Sequence, residues 1–185
     1  MRAFIAIDVP KELKDKVISV QKRLADYDIK LVEPENLHFC LKFLGDMDPK
    51  LLPKLKAIVD AAAKSFEPFD IEIHGMGSFP SPTYIKVIWL GVKAGKNELT
   101  GLAELIDNKT AELGFTPENR AFEAHLTLGR VRSARYKTDL LELLKKNKDL
   151  FVGVMKAASI QLIESELTPD GPKYTIVHEA TLGSE

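Results

Sequence analysis

Polar and apolar positions alternate over residues 2–8, with Phe and Ile prominent, and predict a strand. Pro10 then stands where a helix opens. Leu13, Val17, Val20 and Leu24 recur at steps of three and four, so an amphipathic helix is predicted over residues 11–27. Residues 37–44 return to a period of two. Leu37, Phe39, Leu41 and Phe43 form one apolar face, while His38, Cys40 and Lys42 share the other. On that parity Phe43 packs with the core. The helical period resumes over 49–65, and residues 69–73 and 84–92 read as strands on either side of a breaker-rich stretch, 75–82, with two glycines and two prolines. The same order then nearly repeats: helix 97–113, strand 123–131, helix 138–146, strand 157–167, a turn at Pro169-Asp170-Gly171-Pro172, and strand 174–180.

Strands joined by tight turns and mixed with helices favour an α+β fold with largely antiparallel sheets over a doubly wound parallel sheet. The near-repeat indicates two similar halves meeting near residues 92–97, packed tightly because no linker or low-complexity tract separates them. With 185 residues, 45% hydrophobic and 29% charged, the chain has the composition of a folded globular protein. Its single cysteine excludes an intramolecular disulfide and any multi-cysteine zinc site, and implies a reducing compartment. The apolar run from Ala3 to Ile7 is too short for a signal-peptide core or a membrane span, so a cytoplasmic protein without membrane attachment is expected. A balance of 26 Lys+Arg against 27 Asp+Glu argues against a protein that coats nucleic acid, and leaves room for a local anion site.

Two of the four histidines sit in matching contexts 87 residues apart, His38-Phe39-Cys40-Leu41 and His125-Leu126-Thr127-Leu128. Each lies in a predicted strand, followed two residues later on the same face by a small side chain with a polar or polarisable atom. A lone strand histidine is ordinarily structural. Two at equivalent places in similar halves point to function, because a pseudo-twofold packing brings both faces to one cleft. Facing imidazoles suit phosphodiester cleavage. With an ordinary pKa of ~6.5, one accepts a proton from the nucleophile while the other donates to the leaving oxygen, and no metal or other cofactor is required. A hydroxyl at the second position past each histidine can hold non-bridging phosphate oxygens. Arg130, Arg132, Arg135 and Lys137 add four positive charges in eight residues. Strict pleating sends Arg130 away from His125 unless the strand bends or bulges at Gly129. His74 reads as a surface residue and His178 as structural.

The pair HFCLKFLG and HLTLGR, the first preceded by Val32-Glu33-Pro34-Glu35-Asn36-Leu37, resembles the two His-x-Thr/Ser motifs of the 2H phosphoesterases. The similarity is greatest to the RNA 2′,3′-cyclic phosphodiesterases of bacteria and archaea, long labelled 2′-5′ RNA ligases, and it extends over essentially the whole chain. It implies one bilobal domain over residues 1–185, with pseudo-twofold symmetry, two antiparallel sheets flanked by helices, and the active cleft between lobes. It implies hydrolysis of a terminal 2′,3′-cyclic phosphate on RNA to a 2′-phosphomonoester, with His38 as proton donor to the 3′ oxygen and His125 as proton acceptor from water. Cys40, Thr127, Arg130 and Phe43 would touch the substrate, Arg130 near the phosphate and Phe43 against the terminal nucleobase. The expected partners are RNA 3′ ends, tRNA fragments among them, and the expected state is a monomer. Cys40 departs from the family's Thr or Ser; a thiol donates weakly, so its phosphate contact would weaken or pass to a backbone amide or to Lys42. Three rival readings are a metallo-phosphoesterase built on His38, Cys40 and His125, 2′-5′ ligation as a reverse or side activity, and a non-catalytic RNA-binding module. Residues 91–97 imitate a phosphate loop but have one residue too few between the glycines.

Overall fold

The computed structural model describes residues 1–183. Among them two antiparallel sheets carry the fold. In one sheet β1 (Arg2–Asp8) lies between β3 (His38–Asp46) and β8 (Ser159–Thr168), with β9 (Gly171–Thr181) beyond β8. The other runs in the order β2 (Ile29–Leu31), β6 (His125–Val131), β5 (Ile85–Val92), β4 (Phe69–Pro80), β7 (Phe151–Ala157). The α+β class with two antiparallel sheets is therefore as the pattern indicates.

The lobes are not the two halves of the chain, and the boundary expected near 92–97 does not separate the two sheets. The β4–β5 hairpin from the first half lies in the sheet of His125, and the β8–β9 hairpin from the end lies in the sheet of His38. Two helices cross as well. α1 (Lys11–Gln21) follows β1 yet packs on β7 and β6, and α3 (Lys96–Ala111) follows β5 yet packs on β3. The other two stay at home: α2 (Leu52–Lys64) covers β8 and β9, and α4 (Lys137–Lys146) packs on β4. Each lobe thus donates one helix to the other, and the large apolar side chains of both sheets join in one continuous core that includes Ile5, Phe39, Leu55, Ile88, Leu99 and Leu126. No helix of the described residues is long and apolar enough to cross a membrane.

Several element limits differ from the pattern, each for a local reason. The helix expected over 11–27 ends at Gln21, tightens to a 3-10 turn over Lys22–Leu24, and stops before Asp28, whose φ of 55° leaves the helical region. The breaker-rich 75–82 stretch lies largely within β4. Its glycines serve close approach and not a turn: a Cβ at Gly77 would collide with the Trp89 indole, and Gly75 holds a φ of 80° against the Lys148 carbonyl. The strand expected over 157–167 is preceded by a separate one, β7, and the three-residue β2 is too short to show a period.

Candidate active site

The two motif strands share one irregularity. Between β1 and β3, Ala6 pairs Cys40 and Ile5 pairs Lys42, leaving Leu41 without a partner. Between β5 and β6, Trp89 pairs Thr127 and Ile88 pairs Gly129, leaving Leu128 without a partner. Each strand bulges at the third residue after its histidine, and beyond the bulge the side-chain parity inverts. His38, Cys40 and Phe43 therefore share the concave face of their sheet, with Phe43 opposite Phe4. His125, Thr127 and Arg130 share the concave face of the other. The bulge that Arg130 needed is present, and Phe43 does not take the core position that strict parity gives it: 49% of Phe43 is exposed, under the Arg2 guanidinium at 5.1 Å. Phe43 and Arg130 occupy equivalent positions, each five residues past its histidine.

The same inversion removes Lys42 from the phosphate side. Its ammonium is buried and donates to Asp107 Oδ1 at 2.7 Å and to the Thr116 carbonyl at 2.8 Å, while Asp107 also accepts from the Glu118 backbone N–H at 3.2 Å. Lys42 ties β3 to α3 and to the loop entering β6. It cannot stand in for the missing hydroxyl.

The histidines are held alike. His38 Nδ1 lies 2.6 Å from the Asn36 carbonyl and His125 Nδ1 lies 2.7 Å from the Glu123 carbonyl, in both cases two residues upstream. A carbonyl only accepts, so Nδ1 carries the proton and Nε2 is the nitrogen left free on each ring. Aromatic rings bracket both. Phe4 and Tyr174 lie 4.7 and 5.5 Å from His38, and Phe79 and Trp89 lie 4.8 and 6.2 Å from His125, between ring centroids. Sequence reasoning missed these four residues, since Phe4 and Trp89 come from the adjacent strands β1 and β5, and Tyr174 and Phe79 from β9 and β4 further along each sheet, and strand order is set by pairing; the matching offset of Asn36 and Glu123 was there to be seen.

Burial lowers the His38 imidazole below the ordinary histidine range. The Asn36 carbonyl and the Asp8 carboxylate oppose that shift, and charge on His125 adds to it. Burial likewise lowers His125, against the Glu123 carbonyl and carboxylate, with Arg130 adding to the depression. The two imidazoles are therefore in electrostatic contact across the cleft, as are Arg130 and the Tyr174 phenol of the opposite lobe. Cys40 packs with Phe4, Ala6, Ile163 and Tyr174, and burial pushes its thiol up to about 12. It is a neutral thiol at physiological pH and not a nucleophile. Thr127 is half-buried on the His125 face. His74 is half-buried and not on the surface, 3.5 Å from the Glu72 carboxylate, and His178 joins β9 to α2 through Asp60 Oδ1 at 2.7 Å; neither faces the cleft chemistry. Among the described residues no three His, Cys, Asp or Glu side chains are grouped to hold a metal ion.

The LigT like Phosphoesterase family matches this chain twice in succession, over residues 7–89 and 90–174. The chain belongs to the LigT-like phosphoesterases. Relatives within this family named RNA 2′,3′-cyclic phosphodiesterase include that of Methanothermobacter thermautotrophicus, 42% identical over 95% of both chains, and that of Methanocaldococcus jannaschii, 41% identical over 97% of this chain and 99% of its own. The crystal structure of TT0787 of Thermus thermophilus superposes on this LigT-like chain with a TM-score of 0.85, at 26% identity and with 100% of both chains covered. Escherichia coli LigT, solved with 3′-AMP, shares the fold at a TM-score of 0.79 and 23% identity, with 99% and 98% covered.

Proposed function

We propose that this phosphoesterase hydrolyses 2′,3′-cyclic phosphate ends of RNA to 2′-phosphomonoesters by two-histidine acid–base catalysis. The observation that carries the reading is the equivalence of His38 and His125: same bulged strand, same upstream carbonyl on Nδ1, same concave face, one from each lobe. The names of the relatives, which match over nearly the full length, supply the substrate class.

Water attacks phosphorus opposite the 3′ oxygen, and His125 Nε2 takes its proton as the new P–O bond forms. The P–O3′ bond breaks while His38 Nε2 protonates the departing 3′ oxygen. The phosphate stays on the 2′ oxygen, and exchange with solvent restores both rings. Each proton transfer is worth about 10²–10⁴-fold in rate. The acid and base roles follow the family pattern, with Arg130 beside His125 favouring the neutral, accepting form of that ring. The Thr127 hydroxyl and the Arg130 guanidinium hold the non-bridging oxygens as charge develops. Phe43 stacks on the terminal base, beside a cavity of about 540 Å³ between the end of β3 and residues 114–119.

An oligonucleotide ending in a 2′,3′-cyclic phosphate, incubated with the protein in excess EDTA, tests the reading. The expected product is a 2′-phosphomonoester, formed at the same rate without the chelator. A 3′-phosphate product would overturn the assignment of the leaving group, and activity abolished by EDTA would overturn the two-histidine mechanism.

A further inference from the structure

β2 is the edge strand of the sheet that carries His125, and its three residues put Lys30 directly opposite Arg130. Partners in an antiparallel pair project to the same face, so Lys30 lies on the concave face that Arg130 shares with Thr127 and His125. Ile29 confirms the parity from the other side, being buried in the core opposite Val131. Both cations are exposed, and among the described residues neither has an ion pair or a hydrogen bond from its side chain. Like charges placed opposite each other on adjacent strands destabilise a sheet. Nothing within the fold compensates this pair, and a local rule broken without compensation is a mark of function.

We propose that Lys30, beside the Arg130 that holds the reacting phosphate, forms a second phosphate site, which takes the 5′ phosphate of the nucleotide bearing the cyclic phosphate. This rests on the proposed reaction. The order of groups across the sheet supports it. In that reaction His125, Thr127 and Arg130 surround the reacting phosphate, Arg130 lying beyond the bulge with its charge acting on His125 and Tyr174; Lys30 stands one strand further out, ~4.8 Å across the ladder, at the open edge. An RNA chain leaving the cleft in that direction meets two adjacent positive charges as its next phosphate arrives. A nucleoside 2′,3′-cyclic phosphate without a 5′ phosphate leaves Lys30 unused.

Titration calorimetry of adenosine 2′-monophosphate and adenosine 2′,5′-bisphosphate reads the site without turnover. The protein is expected to bind the bisphosphate more tightly. Lys30→Met should shrink that preference about fivefold, the upper range for one exposed charge pair. Lys30→Arg should keep the preference, as should Lys145→Met on the outer helix α4. Equal affinity for the two nucleotides, or a preference untouched in Lys30→Met, overturns the proposal. A preference lost in Lys30→Met from a protein that fails to open cyclic phosphates upholds the subsite and sinks only the reaction.

Discussion

Cys40 stands where Thr127 stands in the other lobe, and the two side chains differ in what they can offer a phosphate oxygen. The thiol is enclosed by Phe4, Ala6 and Ile163, keeps its proton to about pH 12, and donates weakly. In the proposed reaction phosphate binding is therefore carried on one side, by Thr127 and Arg130. Cys40→Thr restores a hydroxyl on a strand that already points this position at the cleft. It is expected to raise kcat/KM toward a cyclic-phosphate end about threefold, the worth of one ordinary hydrogen bond; an unchanged or lower value would show that the first motif no longer contacts phosphate. The histidines and Cys40 were readable from the sequence because a spacing of two is preserved up to that point. The faces of Lys42 and Phe43 were not, and that of Arg130 only on the condition of a bend or bulge, since one extra residue reverses the side-chain parity beyond it.

The bulges themselves have a visible support in one case. Gln21, buried at the end of α1, donates its amide to the Leu128 and Val32 carbonyls at 3.0 Å each, and the Val32 N–H also reaches the Leu128 carbonyl at 2.9 Å. Leu128 is the unpaired residue of β6, so a helix from one part of the chain holds the kink that turns Arg130 into the cleft. Gln21→Met keeps the volume and removes the donor. It is expected to cost about 1–3 kcal/mol of stability, read by thermal unfolding, and to lower kcat/KM through misplacement of Arg130. Full activity in a destabilised protein would show that the bulge holds without the amide. A long-range contact of this kind leaves no periodic trace in the sequence, whereas the helical spacing of Leu13, Val17 and Val20 on the same element does.

At the scale of the molecule, the two lobes exchange helices α1 and α3 and one hairpin from each half of the chain, which fixes β3 and β6 against each other. The near-repeat of elements was legible; the exchange was not, because strand order depends on pairing and not on local pattern. That packing sets the two imidazoles in each other's field, both lowered by burial below ~6.5. One limb of the pH profile requires His125 without its ring proton and falls as the medium becomes acidic; the other requires His38 with its proton and falls as the medium becomes alkaline. The most direct test of the two-histidine account is therefore the pH dependence of kcat/KM on a cyclic-phosphate end for the parent, His38→Gln and His125→Gln. The account predicts a bell centred on the acid side of ~6.5, a loss of about 10²–10⁴-fold in each variant, and disappearance of the alkaline limb in His38→Gln and of the acid limb in His125→Gln. A complete bell surviving in either variant would contradict it.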